Sequence, residues 1–505
     1  MNRATRRPAR AARPGVPVLL AAIVLLTACK VGPDYEAPET TVPDLWQQSA
    51  ARGVATGEAQ LQTWWQVLED PLLADLIRRA ELANLDLRQA LGRIREARAL
   101  VRVASGQKWP DLDVAAEAGR SQSSDNGAVP APAGGFDAAS LYTAGFDAVW
   151  ELDFFGRVRR SVEAASAGYQ ASIEDYRDVM VTLFAEVARN YVNLRTLERR
   201  LFYAHANVEI QRETLQLTTD RFNAGLVSAL DIAQAESNLA SSESAIPTLE
   251  AGAIAATFRL AVLLGEHPGS LDDELGTTAA IPEPAAAITV GLPGELLRQR
   301  PDVRRAERDL AEQTARIGIA VADLYPRFSL TGFLGLQSTQ IGDFGSGDSV
   351  TWSIGLPVSW NVFDRGRTRG AIDAEKARTE QLLSFYQNTV LLALEEVENS
   401  LVSYDRLQLR RDKLLEAVDA TVRSLDLVRT QYMAGLTDFQ NVLDTQRSLS
   451  SQQDQLADAE GQVIQSLIAI YKALGGGWAE DFERPETLTA GAATATDTAD
   501  ADSSP

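Results

Sequence analysis

Residues 350–360 read Val-Thr-Trp-Ser-Ile-Gly-Leu-Pro-Val-Ser-Trp, and every even-numbered position in this stretch is apolar. The odd-numbered positions carry Thr, Ser, Gly, Pro and Ser. Alternation with a period of two predicts a β-strand with one apolar and one polar face. Tryptophans stand near both ends of the apolar face, as they do in the aromatic girdles of transmembrane strands. Because Pro357 has no backbone N–H to donate, we expect a strand edge or a bulge at that position.

Three further stretches alternate less regularly, and they begin at Leu112, Tyr142 and Phe328. A soluble sheet with one wet face would show the same alternation, so the pattern alone leaves that alternative open. The smallest transmembrane barrels have about eight strands, so four strands cannot close one. A membrane-spanning interpretation therefore requires an oligomer. Two chains would give about eight strands, which fill their own interior with side chains, whereas three would give about twelve strands around a bore.

The strand segments belong to a unit that occurs twice in the chain. Identical residues recur at an offset of 210 positions: Trp150/Trp360, Gly156/Gly366, Arg157/Arg367, Ala224-Gly225-Leu226/Ala434-Gly435-Leu436 and Leu264-Gly265/Leu474-Gly475. Each half has a helical stretch (about 68–108 and 295–324), a β region, a long helical region and, after a glycine turn, a returning helix. We predict an internal tandem repeat with these segments: signal peptide 1–28, N-terminal segment 29–66, repeat 1 over 67–265, linker 266–294, repeat 2 over 295–475 and a disordered tail over 476–505.

The long helical regions carry coiled-coil spacing. Apolar residues lie seven apart in repeat 2: Leu383, Val390, Val397 and Tyr404, then Leu415 with Val422 and Val418 with Leu425. Such heptads predict a coiled-coil seam. A helix over 157–223 would be about 100 Å long, far more than a normal domain radius. Each half is therefore predicted to be an antiparallel helical hairpin attached to two strands, and Pro247 predicts a kink in the returning helix of repeat 1.

The first thirty residues have the parts of a bacterial export signal. A start with five arginines and no acid precedes the apolar run 16–26 and the tetrapeptide Leu26-Thr27-Ala28-Cys29. That tetrapeptide resembles the lipobox, in which Cys29 is lipidated and becomes the mature N-terminus. Lys30 stands where an aspartate would signal retention in the inner membrane, so it favours the outer membrane. No later segment has 18 uninterrupted apolar residues, so no spanning helix is expected.

The composition argues against several classes of function. The formal net charge is −21, which disfavours nucleic-acid binding. The chain has one cysteine and two histidines, His205 and His267, which disfavours a zinc site, a disulfide framework and a histidine-based triad. Neither a G-x-S-x-G elbow nor an H-E-x-x-H pair occurs. We therefore predict no catalytic residues, no metal site and no cofactor.

The chain resembles the TolC-like outer-membrane factors, in particular the OprM/NodT-like lipoprotein branch that serves resistance-nodulation-division efflux pumps. The resemblance rests on residues 29–38 (Cys-Lys-Val-Gly-Pro-Asp-Tyr-Glu-Ala-Pro), the Trp64-Trp65 pair, residues 300–307 (Arg-Pro-Asp-Val-Arg-Arg-Ala-Glu), residues 325–328 (Tyr-Pro-Arg-Phe) and the two glycine turns. It implies an α+β membrane protein: a homotrimer whose twelve-stranded outer-membrane β-barrel continues into a coiled-coil α-helical tunnel in the periplasm.

The resemblance also assigns the candidate site residues. The glycine turns, at Gly225-Leu226 and Gly435-Leu436, become tunnel tips to which a periplasmic adaptor (membrane fusion protein) docks. Charged and polar residues near the tips line a constriction or tie neighbouring helices, which by position points to Asp231, Tyr432, Asn441, Asp444 and Arg447. Asn441 departs from those members that have a second aspartate there, so a doubled acidic ring is not expected. Asp444 and Arg447 are three residues apart on one predicted helix and can share a face.

The function expected from this resemblance is a passive exit duct for small molecules that an inner-membrane efflux transporter delivers through the adaptor. Two alternatives keep the fold: an outlet for type I protein secretion and an outlet for metal-ion efflux. Three methionines and two histidines weigh mildly against a soft-metal path. Two alternatives belong to other classes, a lipid-anchored coiled-coil scaffold without a pore and a secreted lipoprotein hydrolase. The alternating, tryptophan-bounded strands disfavour the scaffold, which needs no lipid-facing band.

Overall fold

The structure is a computed structural model that describes residues 30–47, 52–57, 61–124, 126, 128, 137–284 and 288–479. The predicted signal peptide, Cys29 and residues 480–505 of the predicted tail lie outside the described residues. The chain forms two compact units. Unit 1 contains the chain up to Pro38, Arg95–Ala171 and Ala306–Phe385, and unit 2 contains Glu39–Ile94, Ser172–Arg305 and the chain from Tyr386 onward.

The secondary structure is mostly helical. The strands are β1 Val54–Thr56, β2 Asp111–Ser121, β3 Ala139–Leu152, β4 Ile288–Val290, β5 Arg327–Ser338, β6 Val350–Gly355 and β7 Val358–Ser359. The α-helices are α1 Pro71–Ala83, α2 Leu85–Gly106, α3 Arg157–Asn223, α4 Ala229–Glu243, α5 Ile246–Leu263, α6 Asp272–Leu275, α7 Pro293–Gln299, α8 Pro301–Ala322, α9 Arg367–Met433 and α10 Phe439–Ala473. The two long helices, α3 and α9, have 67 residues each.

Unit 1 is built on an antiparallel sheet with the strand order β2-β3-β5-β6, and β7 also pairs with β5. One rung runs Val114, Phe146, Leu334, Trp352. These four side chains are 74%, 51%, 57% and 71% exposed, so large apolar groups face outward on one side of the sheet. The predicted apolar face of even-numbered residues is confirmed. Among the described residues, the outer edges of β2 and β6 have no partner, so the sheet of one chain is open.

Pro357 interrupts the last strand, as predicted. Residues 356 and 357 separate β6 from β7, and the carbonyl oxygen of Pro357 accepts a hydrogen bond of 3.1 Å from the amide of Ser329. Proline thus keeps its acceptor in the ladder but contributes no donor, at the edge strand where that loss is tolerated.

Two glycines face each other at the centre of the sheet. Gly145 pairs with Gly335, and the ring of Phe333 lies on the same face of the sheet. A Cβ atom added at Gly335 would lie 2.4 Å from the carbonyl oxygen of Ala144 and 2.8 Å from the ring of Phe333. An aromatic ring that covers cross-strand glycines in this way restores the contact area that the glycines lack.

Replacement of Gly335 by alanine is expected to destabilise the sheet by about 1–3 kcal/mol, because the added methyl group overlaps backbone that cannot move freely. Gly332→Ala is the matched control, since its Cβ would meet nothing closer than Ser353 O at 3.9 Å. Thermal unfolding of the purified protein in detergent measures both variants. Equal melting temperatures for the two would contradict the close approach at Gly335.

The first described residues of unit 1 are held by a buried arginine at the start of α3. The side chain of Arg160 is fully buried and donates hydrogen bonds of 3.0 Å to the carbonyl oxygens of Val31 and Gly32. Lys30 forms an ion pair of 2.7 Å with Glu163. The N-terminal segment therefore packs against the start of α3, where a Cβ on Gly156 would touch Lys30 at 3.0 Å.

Unit 2 has a helical core that includes Trp64 of the tryptophan pair and Arg300 and Asp302 of the motif at residues 300–307. Trp64 is 1% exposed and stacks on Tyr471 with ring centroids 5.3 Å apart. The guanidinium of Arg300 donates to Asp302 at 2.7 Å, to Glu396 at 2.6 Å and to the carbonyl oxygen of Ala473 at 2.8 Å. Arg300 therefore joins the start of α8 and the end of α10 to the middle of α9.

The first helical stretch of each repeat, predicted as continuous, is in fact two helices. Asn84 separates α1 from α2 and accepts a hydrogen bond of 2.9 Å from the amide of Leu87, as an N-cap does. Arg300 separates α7 from α8 because the residue before Pro301 is pushed towards an extended conformation, here with ψ 118°.

The segment between the repeats has structure that the sequence pattern did not predict. It contains α6, and β4 pairs in parallel with β1 from the N-terminal segment. Leu271, Leu275, Ile288 and Val290 are at most 2% exposed. Residues 266–294 thus contribute to the core of unit 2, and Gly and Pro there mark turns between buried elements.

The predicted heptad stripe on α9 is buried in part. Val390, Val397, Leu401 and Tyr404 are at most 4% exposed. Leu415 and Val422 were predicted on the same seam, but they are 50% and 40% exposed in this chain. Val418 and Leu425, which continue the register of Val390, Val397 and Tyr404, are 7% and 5% exposed, so the seven-residue seam persists and Leu415 and Val422 lie beside it.

The returning helix of repeat 1 is broken where Pro247 predicted a kink. α4 ends at Glu243 and α5 begins at Ile246, whereas the counterpart helix α10 is continuous over 35 residues. Taken together, residues Ala229–Leu263 are long and apolar enough to cross a membrane by length and composition, which the absence of an uninterrupted apolar run did not predict. The break divides this stretch, and α5 packs Leu249, Leu260 and Ala261 into the core of unit 2.

Candidate functional site at the two glycine turns

The two glycine turns have the same local geometry. Gly225 and Gly435 have φ angles of +76° and +73°. The amide of Leu226 donates to Arg221 O at 2.9 Å, and that of Leu436 donates to Gln431 O at 2.8 Å. Each glycine amide also donates to a carbonyl group that is closer in the sequence. The two bonds of each turn together form the Schellman arrangement, which satisfies carbonyl groups left free at a helix end. Leu226 and Leu436 are 66% and 78% exposed, so each turn presents one large apolar side chain.

Replacement of Gly435 by alanine is expected to cost about 1–2 kcal/mol, because an L-residue is strained at positive φ. Backbone strain is the only steric cost, since a Cβ at Gly435 meets nothing within 4 Å. Gly435→Asn should cost less, because asparagine tolerates the left-handed region. Melting temperatures of the two variants test this, and an alanine variant as stable as the wild type would contradict it.

A buried cluster lies directly behind the turns. It consists of Ala235, Tyr432, Phe439, Val442 and Leu443, each at most 4% exposed. The ring centroids of Tyr432 and Phe439 are 5.3 Å apart. Tyr432, predicted at the constriction, thus lies inside the hairpin of its own chain, and burial raises the pKa of its hydroxyl above the ordinary value.

Arg221 joins the two hairpins of one chain. Its guanidinium lies over the ring of Tyr432, 4.7 Å from the centroid, and donates a hydrogen bond of 3.0 Å to the carbonyl oxygen of Met433. The end of α3 is therefore fixed to the end of α9 by a cation–π contact and a bond to a helix-terminal carbonyl. No sequence motif marks Arg221, although its place in the last turn of a helix is typical of such a contact.

Asp444 and Arg447 are brought together, as their spacing predicted. The shortest distance between their charged atoms is 3.7 Å, and the two side chains are 58% and 52% exposed. Asp444 also accepts a hydrogen bond of 2.9 Å from Gln440. An exposed ion pair of this kind contributes only about 0–1 kcal/mol by itself.

The partner that gives Arg447 a fixed position is Asn238. Nε of Arg447 donates a hydrogen bond of 2.9 Å to Oδ1 of Asn238, which is 5% exposed on α4. This bond ties the returning helix of repeat 2 to that of repeat 1. No sequence motif marks Asn238. The one local signal is that Asn238 lies three residues after the buried Ala235 and so on the same side of the helix.

The other predicted site residues make separate local contacts. Asp231 accepts a hydrogen bond of 3.4 Å from the hydroxyl of Ser228 at the start of α4. Asn441 donates one of 2.8 Å to the hydroxyl of Thr437. Within the part of the chain that the structure describes, no three His, Cys, Asp or Glu residues are grouped so as to hold a metal ion. The site as described offers charges, amides and exposed leucines.

Comparisons with known proteins bear on the whole fold. The family model described as "Outer membrane efflux protein" matches residues 76–266 and 292–476. Nodulation protein T of Rhizobium leguminosarum bv. trifolii is 31% identical over 456 residues, which cover 90% of this chain and 96% of that protein. The pyoverdine export outer membrane protein OpmQ of Pseudomonas aeruginosa is 32% identical over 477 residues, which cover 92% of this chain and 97% of that protein.

A solved structure matches the fold over most of the chain. The outer-membrane channel OprN superposes with a TM-score of 0.84 and 36% identity, over 89% of this chain and 100% of that one. The two family-model segments each cover most of one of the two repeat segments. This chain belongs to the outer membrane efflux protein family.

Proposed function

We propose that this protein works as a homotrimer, as the passive exit duct of a tripartite efflux system in the outer membrane, with the glycine turns as docking points for a periplasmic adaptor. Its family places it among outer-membrane channels with a periplasmic helical tunnel. The observation that carries the assembly of several chains is the open sheet, whose two outer edges have no partner among the described residues. An unpaired edge in a bilayer leaves backbone groups without partners, so the edges of neighbouring copies must pair.

The exposed apolar face of the sheet supports a lipid contact. Val114, Phe146, Leu334 and Trp352 form one rung of this face and are all more than half exposed. In water such a surface would be an aggregation hazard, whereas in a bilayer it is the favourable solvent contact.

The turns support docking through their two exposed leucines. Leu226 and Leu436 stand on rigid Schellman turns, and the cluster around Tyr432 fixes both turns from behind. A small groove lined by apolar side chains on a helical partner would accommodate these two leucines. The hydrogen bond between Arg447 and Asn238 would hold the two returning helices of a chain in the closed packing.

The cargo is proposed to be small molecules that an inner-membrane transporter delivers. OpmQ is a pyoverdine exporter by name, which indicates that one family member carries a small molecule. In this proposal the duct supplies a path and a gate but no energy, and no residue performs chemistry.

The test is reconstitution of the full-length protein into a planar bilayer, with the oligomer mass measured on the same detergent sample. The proposal expects a trimer with small, mostly closed currents. A monomer without current would overturn the duct and favour a lipid-anchored scaffold. A trimer without current would support the proposed assembly but would overturn the conducting function.

A further inference from the structure

The two repeats differ at the sheet end from which the long helices leave. In repeat 1, α3 begins with Arg157 and Arg159, and in repeat 2, α9 begins with their counterparts Arg367 and Arg369. Because the helices continue into the periplasmic tunnel, this end of the sheet lies at the periplasmic side of the outer membrane. All residues of this comparison belong to unit 1.

In repeat 1 these arginines are paired within the chain. Arg157 donates hydrogen bonds to Glu151, one of them 2.8 Å long, and Nε of Arg159 lies 3.2 Å from Asp153. The neighbouring Arg160 binds the carbonyl oxygens of the N-terminal segment. The protein's own groups therefore satisfy the positive charge of this corner and cover it.

In repeat 2 the acidic partners are replaced. The counterparts of Glu151 and Asp153 are Asn361 and Phe363. A further arginine, Arg365, has been added. The pairing scheme of repeat 1 therefore has no equivalent here.

As a result, three cations are exposed and unsatisfied at this corner. Among the residues that the structure describes, the side chains of Arg365, Arg367 and Arg369 form no hydrogen bond or ion pair, and all three are exposed. The nearby carboxylate of Asp364 is occupied, since it accepts bonds from the amides of Gly366 and Thr368 at 2.9 Å. The Asp364 carboxylate interacts with the side chain of Arg367 by Coulomb attraction and not by a hydrogen bond.

The same corner is uncovered by the chain. A Cβ on Gly156 would touch Lys30, whereas a Cβ on its counterpart Gly366 would meet nothing within 4 Å. A groove of about 670 Å³ lies here and is lined in part by Arg327, Trp360 and Arg367. Arg327 is paired with Asp323, so the unsatisfied charge in the groove is that of Arg367.

Large apolar side chains surround the cations. Trp360, Val362 and Phe363 are 57%, 76% and 82% exposed. Proteins are anchored at lipid headgroups by exposed aromatic side chains that lie beside arginine at the membrane–water interface. Aromatic rings there contact acyl chains, while guanidinium groups bind phosphate in bidentate geometry.

We propose that Arg365, Arg367 and Arg369, with Trp360 and Phe363, form a binding site for the phosphate headgroup of an anionic glycerophospholipid in the periplasmic leaflet of the outer membrane. Each chain of the trimer carries one such site. In repeat 1 the corresponding corner is filled by the N-terminal segment, so the site occurs in repeat 2 alone.

The test is native mass spectrometry of the trimer titrated with phosphatidylglycerol, with phosphatidylethanolamine as the zwitterionic comparison. The variant Arg365→Gln/Arg367→Gln/Arg369→Gln should weaken phosphatidylglycerol binding about fivefold per arginine. The control Arg88→Gln/Arg95→Gln/Arg423→Gln removes three exposed arginines from helices elsewhere and should bind as the wild type does. Equal binding by the two triple variants would overturn the proposal.

A second variant keeps every arginine. Asn361→Glu/Phe363→Asp restores the partners that repeat 1 has and should pair Arg367 and Arg369 internally, so phosphatidylglycerol binding should fall while the trimer persists. Two results would contradict the lipid assignment. One is a triple variant that dissociates to monomers with lipid binding unchanged, which would mean that the arginines pair with acids of a second copy. The other is displacement of the lipid by inorganic phosphate at equal concentration.

Discussion

A single arginine at Ile354 is expected to abolish insertion of the trimer into the outer membrane. Ile354 is 70% exposed on the apolar face of β6, between Trp352 and Trp360. Arginine on the lipid face of a barrel costs about 2–4 kcal/mol near the bilayer centre, and three-fold symmetry makes the cost about 6–12 kcal/mol per trimer. That is comparable to the whole stability of an ordinary domain.

The measurement is the yield of heat-resistant trimer in isolated outer membranes, read on a semi-native gel. Ser353→Arg is the matched control, because the neighbouring residue points to the opposite, polar face and its charge can remain in water. We expect trimer from the Ser353 variant and little or none from the Ile354 variant. If both variants insert equally well, the even-numbered face does not contact lipid.

The second large effect is expected at the returning helices. Asp444→Ala with Arg447→Ala should raise single-channel conductance, because it removes the tie between α10 and Asn238 on α4. Partly exposed contacts of this kind are worth about 0.5–1 kcal/mol each. Loss of three copies per trimer shifts the balance of open and closed packings by about 1.5–3 kcal/mol, or about 10- to 150-fold.

The control is Lys413→Ala with Glu416→Ala, another pair three residues apart, which forms an ion pair of 2.8 Å on α9 and has no partner on a second helix among the described residues. Its conductance should equal that of the wild type. Asn238→Ala alone should reproduce most of the increase, because it removes the acceptor that holds Arg447. Unchanged conductance in both the double variant and Asn238→Ala would mean that this tie does not hold the channel closed.

Local patterns in the sequence predicted the elements that depend on local chemistry. The period-two face around Trp352, the Pro357 interruption, the glycine turns and the break near Pro247 all follow from residues within a few positions of the feature. The repeat then predicted that these elements occur twice in the same order.

Contacts between distant residues were not predictable from the same patterns. The pairing of β1 with β4 joins Val54 to Ile288, and neither three-residue strand is long enough to show alternation. Asn238 and Arg221 gain their roles only from partners 209 and 212 residues away. A spacing of seven did not by itself distinguish Val418, which continues the buried register, from Leu415, which is half exposed in this chain.

The break between α4 and α5 gives each chain one jointed and one unjointed hairpin. A continuous helix such as α10 keeps its hydrogen-bond ladder along its whole length, whereas Pro247 lacks a backbone N–H and interrupts the ladder beside Ser244-Ala245, so bending is expected to concentrate at that junction. In the proposed trimer, hairpins with a jointed returning helix would alternate with hairpins whose returning helix is continuous. An even force around the trimer would bend the three jointed hairpins first. The mechanical response would then have three-fold rather than six-fold symmetry.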